Sequence, residues 1–210
     1  MFSLKDVVEE YALKGKLVTV KRHLSVEFEP TVELIRAERL GKAVFFNVAS
    51  ASMGCVGNII FGRGALYDFM GVKRDEEAYL KILKVLSAEV VRASLSSEDE
   101  IFRRSFTVKE FSSFYKPYMG GLNELPAIKF YELDGGRYVT SSVVVARTPD
   151  VVGFNASIHR LMLVPGVGFA IRVVPRHLYR IITLNRKAGK PTPIAIAIGV
   201  HPLVLLAASI

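Results

Sequence analysis

Apolar and polar positions alternate in two different periods along the first hundred residues. Apolar side chains three or four positions apart, each run closed by a glycine, predict helices at residues 3–14 and 31–40, and the same spacing recurs at 62–71 and 75–91. The apolar runs at 17–20 and 43–48 have the length of strands, and the second is of the kind buried on both faces of a sheet. Helices that alternate with strands predict an α/β domain over residues 1–105.

Strand-like runs dominate after the polar stretch at residues 94–100. The runs at 128–132 and 138–147 flank the turn Asp134-Gly135-Gly136, which is the sequence form of a β-hairpin. Two more strands are predicted at 157–164 and 169–174, followed by a helix at 178–188 and a buried strand at 194–198. Several short strands separated by glycine-rich turns predict a small barrel or a split β-barrel over residues 106–210.

Residues 192–210 are strongly apolar and contain no charged residue. A membrane span is one interpretation, but Pro193, Gly199, His201 and Pro202 interrupt the apolar run. A buried strand, a turn at His201-Pro202 and a final short helix fit this pattern better. We expect that helix to be poorly capped and to need cover from another part of the protein, a second copy or a different chain.

Composition and charge narrow the class of partner. The chain has 210 residues, a net charge of +8 and a single cysteine, Cys55. One cysteine excludes an internal disulfide framework and fits a reducing compartment, and the N-terminus lacks the pattern of a secretory signal, so we expect a cytoplasmic protein. Basic residues are scattered and do not alternate with aromatic ones, which argues against nucleic acid as partner and leaves an anionic small ligand as a candidate.

The candidate chemistry lies between Asn155 and His177. Strand alternation places Asn155, Ser157 and His159 on one side of a strand, where an asparagine carbonyl can bind a divalent ion or potassium. Three arginines in this region, at 160, 172 and 176, offer planar forks for phosphate or carboxylate. The pattern is compatible with a phosphate-plus-metal site and equally with a hairpin that has a charged outer face.

Several motifs resemble, in order, the UbiD family of decarboxylases, which use prenylated FMN. The matching segments are DGGRYVTSSVVVARTPD at 134–150, the N-x-x-I-x-R pattern at 155–160, PRHL at 175–178 and KPTPIAIAIGVHP at 190–202. Upstream, residues 43–72 are similar to the strand, Gly-Asn and phenylalanine-glycine region of the family. The resemblance implies that the second domain is a split β-barrel of the flavin-reductase-like type.

The resemblance also implies roles for individual residues. Asn155 would ligate a divalent metal, most readily manganese, with potassium also possible, and His177 would be a second ligand. Arg160 would be catalytic, lying at the reactive face of the flavin and pairing with the substrate carboxylate. The remaining cofactor contacts would come from Ala156, Ser157, Ile158 and His159 beside the flavin and phosphate, Arg172 and Val173 at the phosphate or ribityl chain, and Arg176 at the flavin. His159 is expected to serve in packing.

The sequence departs from the family pattern at its end. Family members supply a glutamate as third metal ligand, and then acidic residues for proton transfer, after the His-Pro segment, and neither can be located before Ile210. We therefore expect the flavin-binding part of a decarboxylase of a small unsaturated or aromatic acid, inactive alone and working as a homo-oligomer or with a second chain. A non-catalytic flavin-binding accessory subunit and a basic polyanion-binding module are the alternatives.

Overall fold

The chain folds into both helices and strands in this computed structural model, which describes residues 3–49, 51–95, 117–150 and 153–209. In the long helix, side chains are described up to residue 87. The elements are α1 (Leu4–Leu13), β1 (Leu17–Leu24), α2 (Glu29–Arg39), β2 (Ala43–Val48), β3 (Cys55–Gly57), α3 (Arg63–Met70), α4 (Asp75–Leu95), β4 (Arg137–Arg147), β5 (Phe154–Val164), β6 (Gly168–Ile171), α5 (His177–Lys187), β7 (Ile194–Ala197) and α6 (Pro202–Ala207). The predicted α/β content is confirmed.

The described residues group into two compact units. One contains residues 3–61 together with 120–209, and so holds both sheets; the other contains α3 and α4. Within the second unit, Arg63 pairs with Asp75 at 2.8 Å and Tyr67 donates its hydroxyl to the same carboxylate, which joins the two helices. The predicted domain boundary at residue 105 lies outside the described residues, and the division into domains stays a prediction.

The first sheet has the order β1-β2-β3. β1 and β2 are parallel and are connected by α2, whereas β2 and β3 are antiparallel. β2 has the predicted bounds, and three of its buried residues (Val44, Phe46 and Val48) form a core cluster with Leu24, Ala37 and Ile128. β1 continues beyond its predicted end at Val20, because the pairing resumes after an irregularity and closes on Leu24, which is fully buried opposite Val48.

The second sheet has the order β6-β5-β4-β7, with every neighbouring pair antiparallel. The predicted hairpin partner of β4 at residues 128–132 is wrong: only Ile128 bridges β4, through Tyr138. The Asp134 carboxylate accepts hydrogen bonds from the backbone N–H groups of Phe130 and Tyr131, so these donors are used in a turn and cannot pair with a strand.

The C-terminal segment differs from its prediction in two ways. β7 is not buried: Ile194, Ile196 and Ile198 are 46%, 36% and 44% exposed, because among the described strands β7 pairs only with β4. α6 is not poorly capped, since His201 Nδ1 accepts a hydrogen bond from Leu203 N at 3.2 Å. In the described part of the chain no helix combines the length and the apolar character that a membrane crossing requires.

Candidate functional site on strand β5 and helix α5

A row of three polar side chains lies on one face of β5. Asn155 Nδ2 donates to Ser157 Oγ at 3.1 Å, and Ser157 Oγ is hydrogen-bonded to His159 Nε2 at 3.0 Å. All three residues are partly buried, whereas Ala156 and Ile158 between them are exposed. The alternation predicted from the sequence is therefore confirmed, and it brings an amide, a hydroxyl and an imidazole into direct contact.

The polar row shares its face with the residues that pack against α5. Asn155 lies opposite Ala146 of β4, and Ser157 lies opposite Val144. Residues directly opposite each other in an antiparallel pair point to the same face. Val144 and Ala146 belong to a buried cluster with Leu178 and Ile181 of α5, as do Leu161 and, at the margin of the cluster, Val173.

This packing bears on the predicted metal ligands. His177 is the first residue of α5 and directly precedes buried Leu178. The segments that carry Asn155 and His177 therefore meet at one face of the sheet. Coordination of one metal ion by both residues stays a prediction.

Arg160 lies on the opposite side of β5 from the polar row. It is exposed, and it stands across from Thr140 and Ser141, where two residues of β4 oppose one residue of β5. Such an extra residue is a β-bulge, which kinks the strand locally. Beyond the bulge, buried Ser142 donates its hydroxyl to the backbone carbonyl of His159 at 2.6 Å. The side chain predicted to bind the substrate carboxylate is thus held on an exposed face beside an irregularity that sequence reasoning missed.

The remaining predicted cofactor contacts surround the start of α5. Arg172 follows the last residue of β6, and both Arg172 and Arg176 are exposed. A surface concavity of about 450 Å³ is lined by Pro175, Arg176, His177, Tyr179 and Arg180. Within the described chain, no side chain caps α5. The first N–H groups of a helix, with its macrodipole, favour an anion such as phosphate.

Sequence reasoning missed a contact that ties α5 to the turn between β4 and β5. Arg180 binds Asp150 with both terminal nitrogens: Nη1 lies 3.3 Å from Oδ1, and Nη2 contacts Oδ2. Thr148 closes the same turn by donating to the carbonyl of Gly153 at 2.9 Å. Thirty positions separate Asp150 from Arg180, and no local pattern in the sequence marks them as partners.

The donor set for a metal is incomplete within the described residues. They contain no group of three histidine, cysteine, aspartate or glutamate side chains that could hold an ion. Asn155 supplies one amide oxygen and His177 one imidazole nitrogen, both of which are acceptable to manganese. These residues fit a metal that takes further ligands from a bound phosphate or from another polypeptide.

Cys55 takes no part in this site. It lies in β3 beside the first core cluster, and burial raises the pKa of its thiol to about 11. A thiol with this pKa is protonated at neutral pH and is a poor nucleophile. Cys55 therefore serves in packing against the first core cluster.

Comparison with known proteins defines the class. Residues 104–210 match the UbiD family model, the 3-octaprenyl-4-hydroxybenzoate carboxy-lyase Rift-related domain. The chain therefore belongs to the UbiD family, as the sequence motifs indicated. Within it, the chain is 31% identical to anhydromevalonate phosphate decarboxylase of Aeropyrum pernix over an alignment of 211 positions, which covers 99% of this chain and 43% of that protein. The corresponding enzyme of Methanothermobacter thermautotrophicus is 45% identical over 93 residues, covering 44% of this chain and 22% of the enzyme.

Solved structures agree with this assignment. The chain superposes on the UbiD-class enzyme HmfF from Pelotomaculum thermopropionicum, in an evolved dimeric form in complex with prFMN, with a TM-score of 0.73 and 28% identity. The match covers 98% of this chain and 46% of that one. This chain thus spans less than half the length of the curated relatives that match it along its whole length.

Proposed function

We propose that the chain is the flavin-binding part of a non-oxidative decarboxylase that uses prenylated FMN. The observation that carries this proposal is the match over nearly the whole chain both to anhydromevalonate phosphate decarboxylase and to a prFMN-bound UbiD-class enzyme. The hydrogen-bonded row on β5 and the uncapped start of α5 lie within the segments that carry the family motifs. The split β-barrel is part of the proposal, with β6-β5-β4-β7 as its described portion.

Each part of the site has a separate task in this proposal. Asn155 and His177 hold the divalent metal, manganese by preference. Arg172 and the first amides of α5 bind the cofactor phosphate, and Arg176 contacts the flavin. Arg160, on the other side of β5, binds the substrate carboxylate with its planar guanidinium. The prenylated flavin, when bound, supplies the electron-accepting centre for decarboxylation. The carboxylate leaves as CO2 and a proton replaces it on carbon, so the overall change is non-oxidative.

The substrate we propose is a phosphorylated unsaturated acid of the anhydromevalonate phosphate type. Three curated relatives that match along most of the chain carry that name. A molecule with both a phosphate and a carboxylate needs two anion sites. The chain has a net charge of +8, which suits a substrate with two anionic groups better than an aromatic acid whose only anionic group is its carboxylate.

We further propose that the chain works in the cytoplasm with a second copy or another chain. Ile194 and Ile196 on β7 are partly exposed, and full burial of such side chains would gain about 2 kcal/mol each. β7 also offers an edge to which another strand could be added. The expectation that the isolated chain does not turn over belongs to this proposal. Proton return needs an acidic residue that can donate a proton, whereas Asp150, the acidic side chain described at the site, is paired with Arg180.

The experiment is co-expression of the chain with a flavin prenyltransferase, followed by the absorbance spectrum and mass of the bound cofactor. We expect bound prenylated FMN in the wild-type chain, reduced retention in Asn155→Ala, and normal retention but loss of decarboxylation in Arg160→Ala when a complementing chain is present. Flavin binding with no turnover in any combination would favour an accessory subunit. Absence of flavin, together with binding to polyanions that weakens steeply with salt, would contradict the proposal.

A further inference from the structure

The polar row on β5 is a continuous chain of hydrogen bonds with a fixed end. It runs from Asn155 Nδ2 to Ser157 Oγ at 3.1 Å and from Ser157 Oγ to His159 Nε2 at 3.0 Å. The backbone at His159 is anchored in turn, because buried Ser142 donates to its carbonyl at 2.6 Å. The chain therefore begins at a rigid point of the sheet and ends on the amide of Asn155.

The hydrogen-bond chain determines which atom of the Asn155 amide faces away from Ser157. A serine hydroxyl has a single proton, and when the ring proton of His159 is on Nδ1, that hydroxyl proton goes to Nε2. Ser157 Oγ then acts only as an acceptor toward Asn155. The amide must present its NH2 group to Ser157, and Oδ1 takes the opposite side. Without this constraint, the two orientations of an asparagine amide have nearly the same shape and differ only in the placement of oxygen and nitrogen.

We propose that Ser157 and His159 are positioning residues that hold Asn155 with Oδ1 presented for metal coordination. The inference rests on the proposed function, in which Asn155 is a metal ligand. A metal binds the amide oxygen and is repelled by an NH2 group in its place, so the orientation of the amide sets the affinity. Groups behind a ligand commonly change metal affinity when they are removed. His159, which we expected to serve in packing, has this positioning role through Ser157.

The test is a titration of the full chain with Mn²⁺ in the presence of FMN, followed by the electron paramagnetic resonance signal of free Mn²⁺. Ser157→Ala and His159→Phe should each weaken Mn²⁺ binding by about 10- to 100-fold. His159→Gln, whose side-chain carbonyl can accept the serine proton, should restore most of the affinity. The double variant Ser157→Ala/His159→Phe should bind Mn²⁺ within about threefold of Ser157→Ala. The reason is that loss of Ser157 alone already breaks the hydrogen-bond chain at its middle member.

Two controls separate this inference from other causes. Ser141→Ala removes an exposed hydroxyl from the neighbouring strand and should leave the affinity unchanged. Asn155→Ala separates the two proposals. If it leaves Mn²⁺ affinity unchanged, or if the wild-type chain binds no Mn²⁺, the metal role of Asn155 is wrong and the inference falls with it. If Asn155→Ala abolishes binding while Ser157→Ala and His159→Phe behave like wild type, the positioning role is wrong and the proposed function stands.

A second measurement, on the metal-free protein, distinguishes a change at Asn155 from a general loss of fold. The side-chain NH2 signals of Asn155, assigned by their absence in Asn155→Ala, should shift in both Ser157→Ala and His159→Phe and return in His159→Gln. Unshifted signals in His159→Phe would overturn the positioning role, as would additive losses of Mn²⁺ affinity in the double variant. Additive losses are the result expected when each substitution damages the sheet independently.

Discussion

Truncation of Ile181 to alanine tests whether packing holds the start of α5 on the sheet. Ile181 is 1% exposed and is buried against Val144, Ala146, Leu161 and Leu178. The substitution removes three carbons, worth about 2.4 kcal/mol at about 0.8 kcal/mol for each buried group. A cavity term adds to this, so we expect a loss of about 3 kcal/mol in the free energy of unfolding, within the usual range of roughly 2–5 kcal/mol.

The assay is thermal unfolding followed by circular dichroism. For a chain of this size, about 2–4 °C of melting temperature corresponds to each kcal/mol, so Ile181→Ala should melt about 6–12 °C below wild type. Ile181→Val should lose only about 0.5–1.5 kcal/mol. The matched control is Tyr179→Ala on the same helix; Tyr179 is 49% exposed, and its truncation should stay within about 0.5 kcal/mol of wild type.

Ile181→Ala also tests whether the packing of α5 positions the residues that bind the cofactor. Because His177 is one residue from buried Leu178, loosening α5 should also weaken FMN binding while Asn155 is left intact. A melting temperature within 1 °C of wild type, on the order of 0.3 kcal/mol, would refute the packing argument. A normal affinity for FMN in a clearly destabilised variant would instead refute the positioning of the cofactor by α5.

Two further predictions concern stability alone. Burial lowers the pKa of His201 below its ordinary value of 6.5, and its neutral Nδ1 caps α6 by accepting from Leu203 N. The unfolded chain therefore takes up the proton first, so the stabilisation is complete above about pH 6.5 and is lost as the pH falls through the lowered pKa. His201→Asn, which keeps a capping oxygen, should flatten this pH dependence in urea unfolding; an unchanged slope would contradict the role of His201. Gly41→Ala should lower the free energy of unfolding by about 1–2 kcal/mol in the same assay, because Gly41 has a φ of +62°, which an alanine adopts only with strain. No atom lies within 4 Å of the added carbon, so a steric clash does not add to this loss. A neutral effect would show that the backbone can relax.

The local pattern of apolar and polar residues predicted those elements that depend only on residues close together in the sequence. The contiguous apolar run of β2 could be assigned with its bounds because four of its six residues are buried. The alternation of β5 predicted the polar row from Asn155 to His159 because the side-chain period of a strand is fixed by its backbone. These parts of the fold and of the site depend on nearest neighbours in the sequence.

The sequence was a poor guide wherever a distant residue decides the outcome. The turn at Asp134 replaces a hairpin strand because one carboxylate takes two backbone donors. β7 has the composition of a buried strand, but composition cannot show that no described strand covers its outer edge. Arg180 finds Asp150 across thirty positions, and the polar run at 140–142 has no feature that marks a bulge. Such contacts follow from tertiary packing, which local periodicity does not encode.

The bulge at Thr140 and Ser141 fixes the number of residues that β4 must have between its two halves. Val139 before the bulge and Val144 after it differ by an odd number of positions, yet both contribute to the cluster under α5. An odd spacing in an uninterrupted strand would place them on opposite faces. Loss or gain of one residue here would therefore turn half of the strand inside out, whereas a change of two would preserve its facing. When related sequences are aligned, a single-residue gap between Val139 and Ser142 should coincide with a compensating change near Arg160, and libraries of variants at this bend should keep their length constant.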